Sequence, residues 1–134
     1  PGTMQHSPHY DDVVAEVAAF LAQRVAACDA AGIPRERILL DPGFGFGKTA
    51  AHNLTLLRGL PVLCRQGLPV VVGLSRKSLI GDVTGARVTQ RLGGSIALAV
   101  LAAQRGARLL RVHDVDATAQ ALAMLDAVQG DVDG

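Results

Sequence analysis

Three short clusters of the sequence bring together residue types that do chemistry. The first is Asp41, followed by Pro42-Gly43-Phe44-Gly45-Phe46-Gly47-Lys48-Thr49. The second is Ser75-Arg76-Lys77-Ser78, and the third is Arg111-Val112-His113-Asp114. One carboxylate, several cations and an imidazole suit a ligand that couples a hydrogen-bonding ring to an anionic group. Arg111 and His113 have the same parity on an extended chain, so both face one side, about 6–7 Å apart, while Val112 faces the other. Two such donors can grip a phosphate or diphosphate. Each cluster also has a bland reading. An Asp-Pro after a strand starts turns by capping backbone N–H groups, Lys77 suits a solvated loop, and an Arg and a His suit a solvated strand end.

The glycine loop imitates two phosphate motifs without matching either. A P-loop ending at Gly47-Lys48-Thr49 would need glycine where Pro42 stands, and a dinucleotide fingerprint starting at Gly43 would need glycine where Lys48 stands. What remains is Gly43, Gly45 and Gly47 alternating with Phe44 and Phe46. Glycine lets backbone approach a flat ligand closely, and a phenylalanine can offer a ring to stack on it. Alternatively, both rings pack beneath the loop as local core.

The elements that must position these clusters follow one grammar. Each cluster ends a short apolar run: Arg37–Asp41, Leu68–Leu74 and Arg108–Val112. Each run is followed by a helical pattern: His52–Arg58, about Val88–Arg105, and about Asp116–Val128. A first helix is expected over Asp11–Ala31, with Val13, Val14, Val17, Phe20, Leu21 and Val25 on one face and Gly32 as its stop. Pro61 is placed to open a further short turn of helix. Asp41, Lys77 and His113 stand 36 residues apart in succession, the size of a β-α unit. This alternation predicts an α/β fold of three parallel strands with right-handed crossovers. In such folds the polar strand tips gather on one rim, where sites are built.

Composition narrows the class. Of 134 residues, 49% are hydrophobic and only 3% aromatic, so the core must be aliphatic. The formal net charge is +1, with both signs interspersed, so nothing points to nucleic acid. No stretch of 18 apolar residues suggests a membrane span. Cys28 and Cys64 are far apart and form no metal or disulfide pattern, which fits a reducing cytoplasm.

The clusters, in this order, resemble dihydropteroate synthases. Asp41–Lys48 is similar to that family's signature after barrel strand six, Gly73–Ser78 to its loop after strand seven, and Arg111–Asp114 to its strand-eight terminus. Gly2-Thr3-Met4-Gln5 resembles the end of the loop after strand five, and Tyr10–Val13 the start of the next helix. The resemblance covers nearly the whole chain and implies that residues 1–134 are the C-terminal part of a TIM (β/α)₈ pterin-binding domain. It implies a transferase of folate biosynthesis that condenses 6-hydroxymethyl-7,8-dihydropterin diphosphate with p-aminobenzoate, giving dihydropteroate and diphosphate. By resemblance, Lys77, Arg111 and His113 are the catalytic residues. Asp41 reads the amino-pyrimidine edge of the pterin. Lys77 touches the pterin ring and borders the aminobenzoate pocket, while Arg111 and His113 hold the diphosphate. Gly45, Phe46, Ser75 and Ser78 shape the substrate pocket, which sulfonamides would share, and Arg76 is structural.

The family further implies Mg²⁺ with the diphosphate, its ligands lying outside this chain, and a cytoplasmic homodimer. A typical barrel needs about 250 residues, so the chain alone is expected to be inactive. The alternative is a non-catalytic half-barrel that only binds pterin or phosphate.

Overall fold

The computed structural model describes residues 10–45 and 47–130. Phe46 and the Gly2–Gln5 segment therefore lie outside the described residues.

Helix α1 spans Val13–Ala30. Asp12 caps it by accepting the Ala15 N–H at 3.1 Å, and Glu16 reaches back to the Asp12 N–H at 3.1 Å, which satisfies two of the helix's orphan donors. Gly32, at φ +82°, takes the chain out of the helix. Val13, Val17 and Leu21 form the buried stripe, but Phe20, expected on that face, is exposed. A 3₁₀ turn at Arg35–Arg37 follows, then α2 at Ala50–Arg58, α3 at Leu60–Cys64 and strand β1 at Val71–Val72. Thr49 and His52 form a reciprocal cap on α2. Pro61 sits in the first turn of α3, where its missing N–H costs nothing.

Helix α4 runs over Ser78–Thr84, ahead of the helical pattern expected from about Val88. Gly85, at φ +77°, is its stop. The long helix expected over 88–105 is divided into a 3₁₀ turn at Val88–Gln90 and α5 at Leu92–Gln104. Strand β2 is Leu109–Leu110 and α6 is Val115–Gly130.

The expectation of three strands needs correction. Among the described residues β1 and β2 form a two-stranded parallel sheet in the register Val71↔Leu109 and Val72↔Leu110. The first apolar run contributes only an isolated parallel bridge, Leu40↔Val70. Its bonds are Leu40 N–H to Pro69 O and Val71 N–H to Leu40 O, both 2.8 Å. The 3₁₀ turn before the 38–40 segment takes the Arg37 and Ile38 N–H groups, which keeps them out of a ladder. The three segments still lie side by side and parallel, with β1 between the other two.

The core lies between this sheet and α1 to α3. Leu56, Leu60, Leu63 and Val70 are wholly buried, and Leu40, Phe44 and Val72 nearly so. Helix α5 adds Ala99 and Ala102. Helix α6 packs on α5 and buries only Thr118, leaving Val115, Met124 and Val128 exposed.

Candidate functional site

Parallel pairing puts the C-terminal ends of all three segments on one rim. Asp41 follows the bridge residue Leu40, Ser75–Lys77 follow β1, and Arg111–His113 follow β2. The Arg111 Nη1–Asp41 Oδ2 distance is 3.7 Å, so the first and third tips meet across the second. Both side chains are about half exposed or more, so this pair is worth at most about 1 kcal/mol and a ligand can readily part it. The other Asp41 oxygen, Oδ1, accepts the Gly43 N–H at 2.9 Å. The carboxylate thus caps its own turn and faces a cation; the turn-capping and ligand-facing readings of Asp41 coexist.

The glycine loop wraps over the second tip. Lys77 donates from Nζ to the Phe44 carbonyl at 2.7 Å. A Cβ built on Gly45, at φ +93°, would stand 3.6 Å from that Nζ, so a side chain here would crowd the amine as well as strain the backbone. Phe44 itself is 2% exposed and belongs to the core, as the bland reading of the loop had it.

Lys48 is a site residue the sequence reading passed over. Its Nζ donates to the Gly43 carbonyl at 2.8 Å and stands 5.7 Å from the Tyr10 ring centroid. The chain has only two lysines, Lys48 and Lys77, and the fold brings both onto this loop. Burial lowers the pKa of each lysine. For Lys77 the Arg111 charge lowers it further and Asp41 partly offsets this. For Lys48 Asp41 is the offset and Lys77 adds to the lowering. Three cations therefore crowd around one carboxylate, an arrangement that an incoming anion would relieve.

The Ser75–Arg76–Lys77 turn is pinned from α5. Arg76 has φ +58°, a left-handed value that costs a non-glycine residue about 1–2 kcal/mol. The Ser95 hydroxyl accepts the Arg76 N–H at 2.8 Å, Arg91 Nη1 donates to the Arg76 carbonyl at 3.1 Å, and the Arg76 guanidinium pairs with Asp114 at 3.1 Å. Arg76 is thus a structural link between the second and third tips, as expected. Asn53 performs a similar service for the glycine loop, its Oδ1 accepting the Gly45 N–H at 2.9 Å. Neither Ser95 nor Asn53 stands out in the sequence, because a buried hydroxyl or amide on a helix has no distinguishing pattern.

Arg111 and His113 have different partners. The Arg111 guanidinium lies over Gly73, where a Cβ would come within 2.6 Å of Nη2. His113 turns to Ser75, with its N–H 3.2 Å and its Nδ1 3.0 Å from the Ser75 oxygen. Ser75 is 8% exposed, so its hydroxyl serves His113 rather than an open pocket. Ser78 opens α4 with an exposed side chain. Among the described residues no three His, Cys, Asp or Glu side chains stand close enough to hold a metal ion. No helix among them is long and apolar enough to cross a membrane.

Comparison with known proteins then gives the family. The sequence model of a family described as pterin binding enzyme matches residues 1–113. The chain is 49% identical over 127 residues to dihydropteroate synthase from Escherichia coli strain K12, covering 95% of this chain and 45% of that protein. Among solved structures, dihydropteroate synthase from Xanthomonas albilineans in complex with 7,8-dihydropteroate superposes with TM-score 0.89 at 59% identity, over 91% of this chain and 47% of that one. A Yersinia pestis dihydropteroate synthase with a sulfonamide drug complex superposes with TM-score 0.92 at 46% identity, over 96% of this chain and 47% of that one. The chain thus spans about half the length of the relatives it matches.

Proposed function

The chain belongs to the pterin binding enzyme family, and from that premise we propose that it is the C-terminal part of a dihydropteroate synthase barrel. The observation that carries this reading is the Asp41–Arg111 contact, which joins two of three parallel tips around Lys77. Here the chain supplies the last three strand positions of a (β/α)₈ barrel, the first of them reduced to a bridge.

Asp41 is acceptor-only and reads the N–H donors of the pterin's amino-pyrimidine edge. Lys77, bonded to the glycine loop, contacts the ring and borders the p-aminobenzoate pocket, to which Ser78, Gly45 and Phe46 contribute. Arg111 and His113 hold the diphosphate. The p-aminobenzoate nitrogen attacks the pterin methylene carbon, a C–N bond forms, and the C–O bond to diphosphate breaks with its electron pair leaving on oxygen. The amine then loses its proton. Cations on the departing oxygens stabilise the charge that develops there, so no covalent enzyme nucleophile is needed. Sulfonamides would occupy the aminobenzoate side of the pocket. Mg²⁺ would accompany the diphosphate, held by groups beyond this chain, as the family resemblance implies. A cytoplasmic homodimer completes the reading; the exposed Leu92 and Leu101 of α5 and Met124 and Val128 of α6 offer apolar surface for it.

A second reading is favoured by length. Spanning about half of its relatives, the chain alone would bind pterin diphosphate without turning it over. Two measurements separate the cases. Calorimetry of the 134-residue chain with inorganic diphosphate is expected to show binding that Arg111→Ala/His113→Ala abolishes. An assay for dihydropteroate is expected to show no turnover by the chain alone. Robust turnover would reject the claim that the chain needs the rest of the barrel. Diphosphate binding unchanged by the double substitution would reject the site.

A further inference from the structure

We propose that Ser75 is a positioning residue: its buried hydroxyl fixes His113 with the ring proton on Nε2 and Nδ1 bare, so that the imidazole offers an N–H donor to an anion beside Arg111. The use of that donor rests on the diphosphate reading above; the tautomer itself does not.

The tautomer follows from a count of hydrogens. A serine hydroxyl has one proton and two lone pairs. The backbone N–H of His113 can only donate, and it donates to the Ser75 oxygen at 3.2 Å. That oxygen is also 3.0 Å from His113 Nδ1. If Nδ1 carried the proton, the oxygen would accept twice and its own hydrogen would need a third partner. Ser75 is 8% exposed and has no other hydrogen-bond partner among the described residues. A buried donor left unmade is costly. With Nδ1 bare, the oxygen accepts from the backbone and donates to the ring, and every group is satisfied.

The same pair of contacts fixes direction. Two bonds from one hydroxyl to the backbone and ring of one residue hold the Nδ1 edge of the imidazole against the loop after β1, and His113 is exposed, so Nε2 is the ring nitrogen left for a ligand. Ser75 itself is held in place because the next residue, Arg76, is tied through its N–H to Ser95 and through its guanidinium to Asp114. Helix α5 thereby sets the histidine at one remove.

The test is a long-range ¹H–¹⁵N correlation spectrum of the labelled 134-residue chain, taken above the imidazole titration range at about pH 8.5. His113 is assigned by its disappearance in His113→Gln. In the wild type its Nδ1 is expected to resonate as a pyridine-type and Nε2 as a pyrrole-type nitrogen. Ser75→Ala is expected to mix the two forms, and Ser75→Thr, which keeps the hydroxyl, to restore the wild-type pattern. His52 is the internal control, because its Nδ1 accepts the Thr49 N–H at 3.2 Å independently of Ser75. Titration with inorganic diphosphate is expected to show about fivefold weaker binding in Ser75→Ala, recovered in Ser75→Thr. A proton on Nδ1 in the wild type overturns the proposal, even if Ser75→Ala does not fold. So does a Ser75→Ala spectrum with the His113 pattern unchanged. A wild type with the expected tautomer but no response to diphosphate leaves Ser75 in its role and removes the anion reading instead.

Discussion

At the scale of single residues, the site is an imbalance of charge held close to the surface. Lys48 and Lys77 both have pKa values below the ordinary 10.5, chiefly because burial disfavours their charged forms. Between the lowered folded value and 10.5 the unfolded chain binds more protons, so stability is expected to rise with pH across that window. Lys77→Met should flatten the rise, which denaturant titrations at several alkaline pH values would detect; a slope unchanged in the variant would show that Lys77 does not carry it. An anion placed beside the lysines favours their protonation. Diphosphate binding in the same pH window should therefore take up protons, measurable by calorimetry in buffers of different ionisation enthalpy. Asp41→Asn should keep the turn, since an amide oxygen can still accept the Gly43 N–H, while losing the charge opposite Arg111. Stability should change by less than about 1 kcal/mol, while pterin affinity should fall.

At the scale of elements, helices hold the loops that hold the ligand. Ser95→Ala removes the acceptor of the Arg76 N–H and should cost about 1–3 kcal/mol, because a part-buried donor is left unsatisfied. Chemical denaturation would measure it. Gly73→Ala acts differently. The added Cβ meets the flexible end of Arg111, 2.6 Å away, rather than backbone. The guanidinium should swing off Asp41 with little loss of stability, and diphosphate affinity should drop. By contrast, a Cβ on Gly94 would lie 2.5 Å from Ile80 Cγ2, between α5 and α4. Gly94→Ala should destabilise by about 1–3 kcal/mol through overpacking. Comparable melting temperatures for the Gly73 and Gly94 variants would contradict this distinction.

At the scale of the molecule, three parallel segments leave two open edges. Leu39 on one flank and Leu109 on the other are about half exposed, and Val115, Met124 and Val128 of α6 face outward. A groove along β2 and α6 is lined by Leu109, Leu110, Val112, Val115, Ala119 and Leu122. Apolar surface on this scale favours association. The chain is expected to run larger than a 13.9 kDa monomer in sedimentation and to bind hydrophobic dyes. A monomer that binds no dye would show that these faces are covered within the chain.

The sequence by itself determined the alternation of apolar runs and helices, the three polar tips and the family they resemble, because each rests on local pattern. Apolar runs end in charge, glycines stop helices, and the spacing of Asp41, Lys77 and His113 repeats. It could not determine that the first run makes only one bridge, since the backbone groups a preceding turn takes are fixed only in the folded chain. Nor could it separate Phe44 as core from Asp41 as rim, or show Phe20 outside, because which face is covered is decided by what packs against it. Lys48, Asn53, Ser95 and the Ser75–His113 contact became visible only in the folded chain. Their partners lie 5 to 38 residues away in sequence, and hydrogen bonds over such separations have no periodic trace.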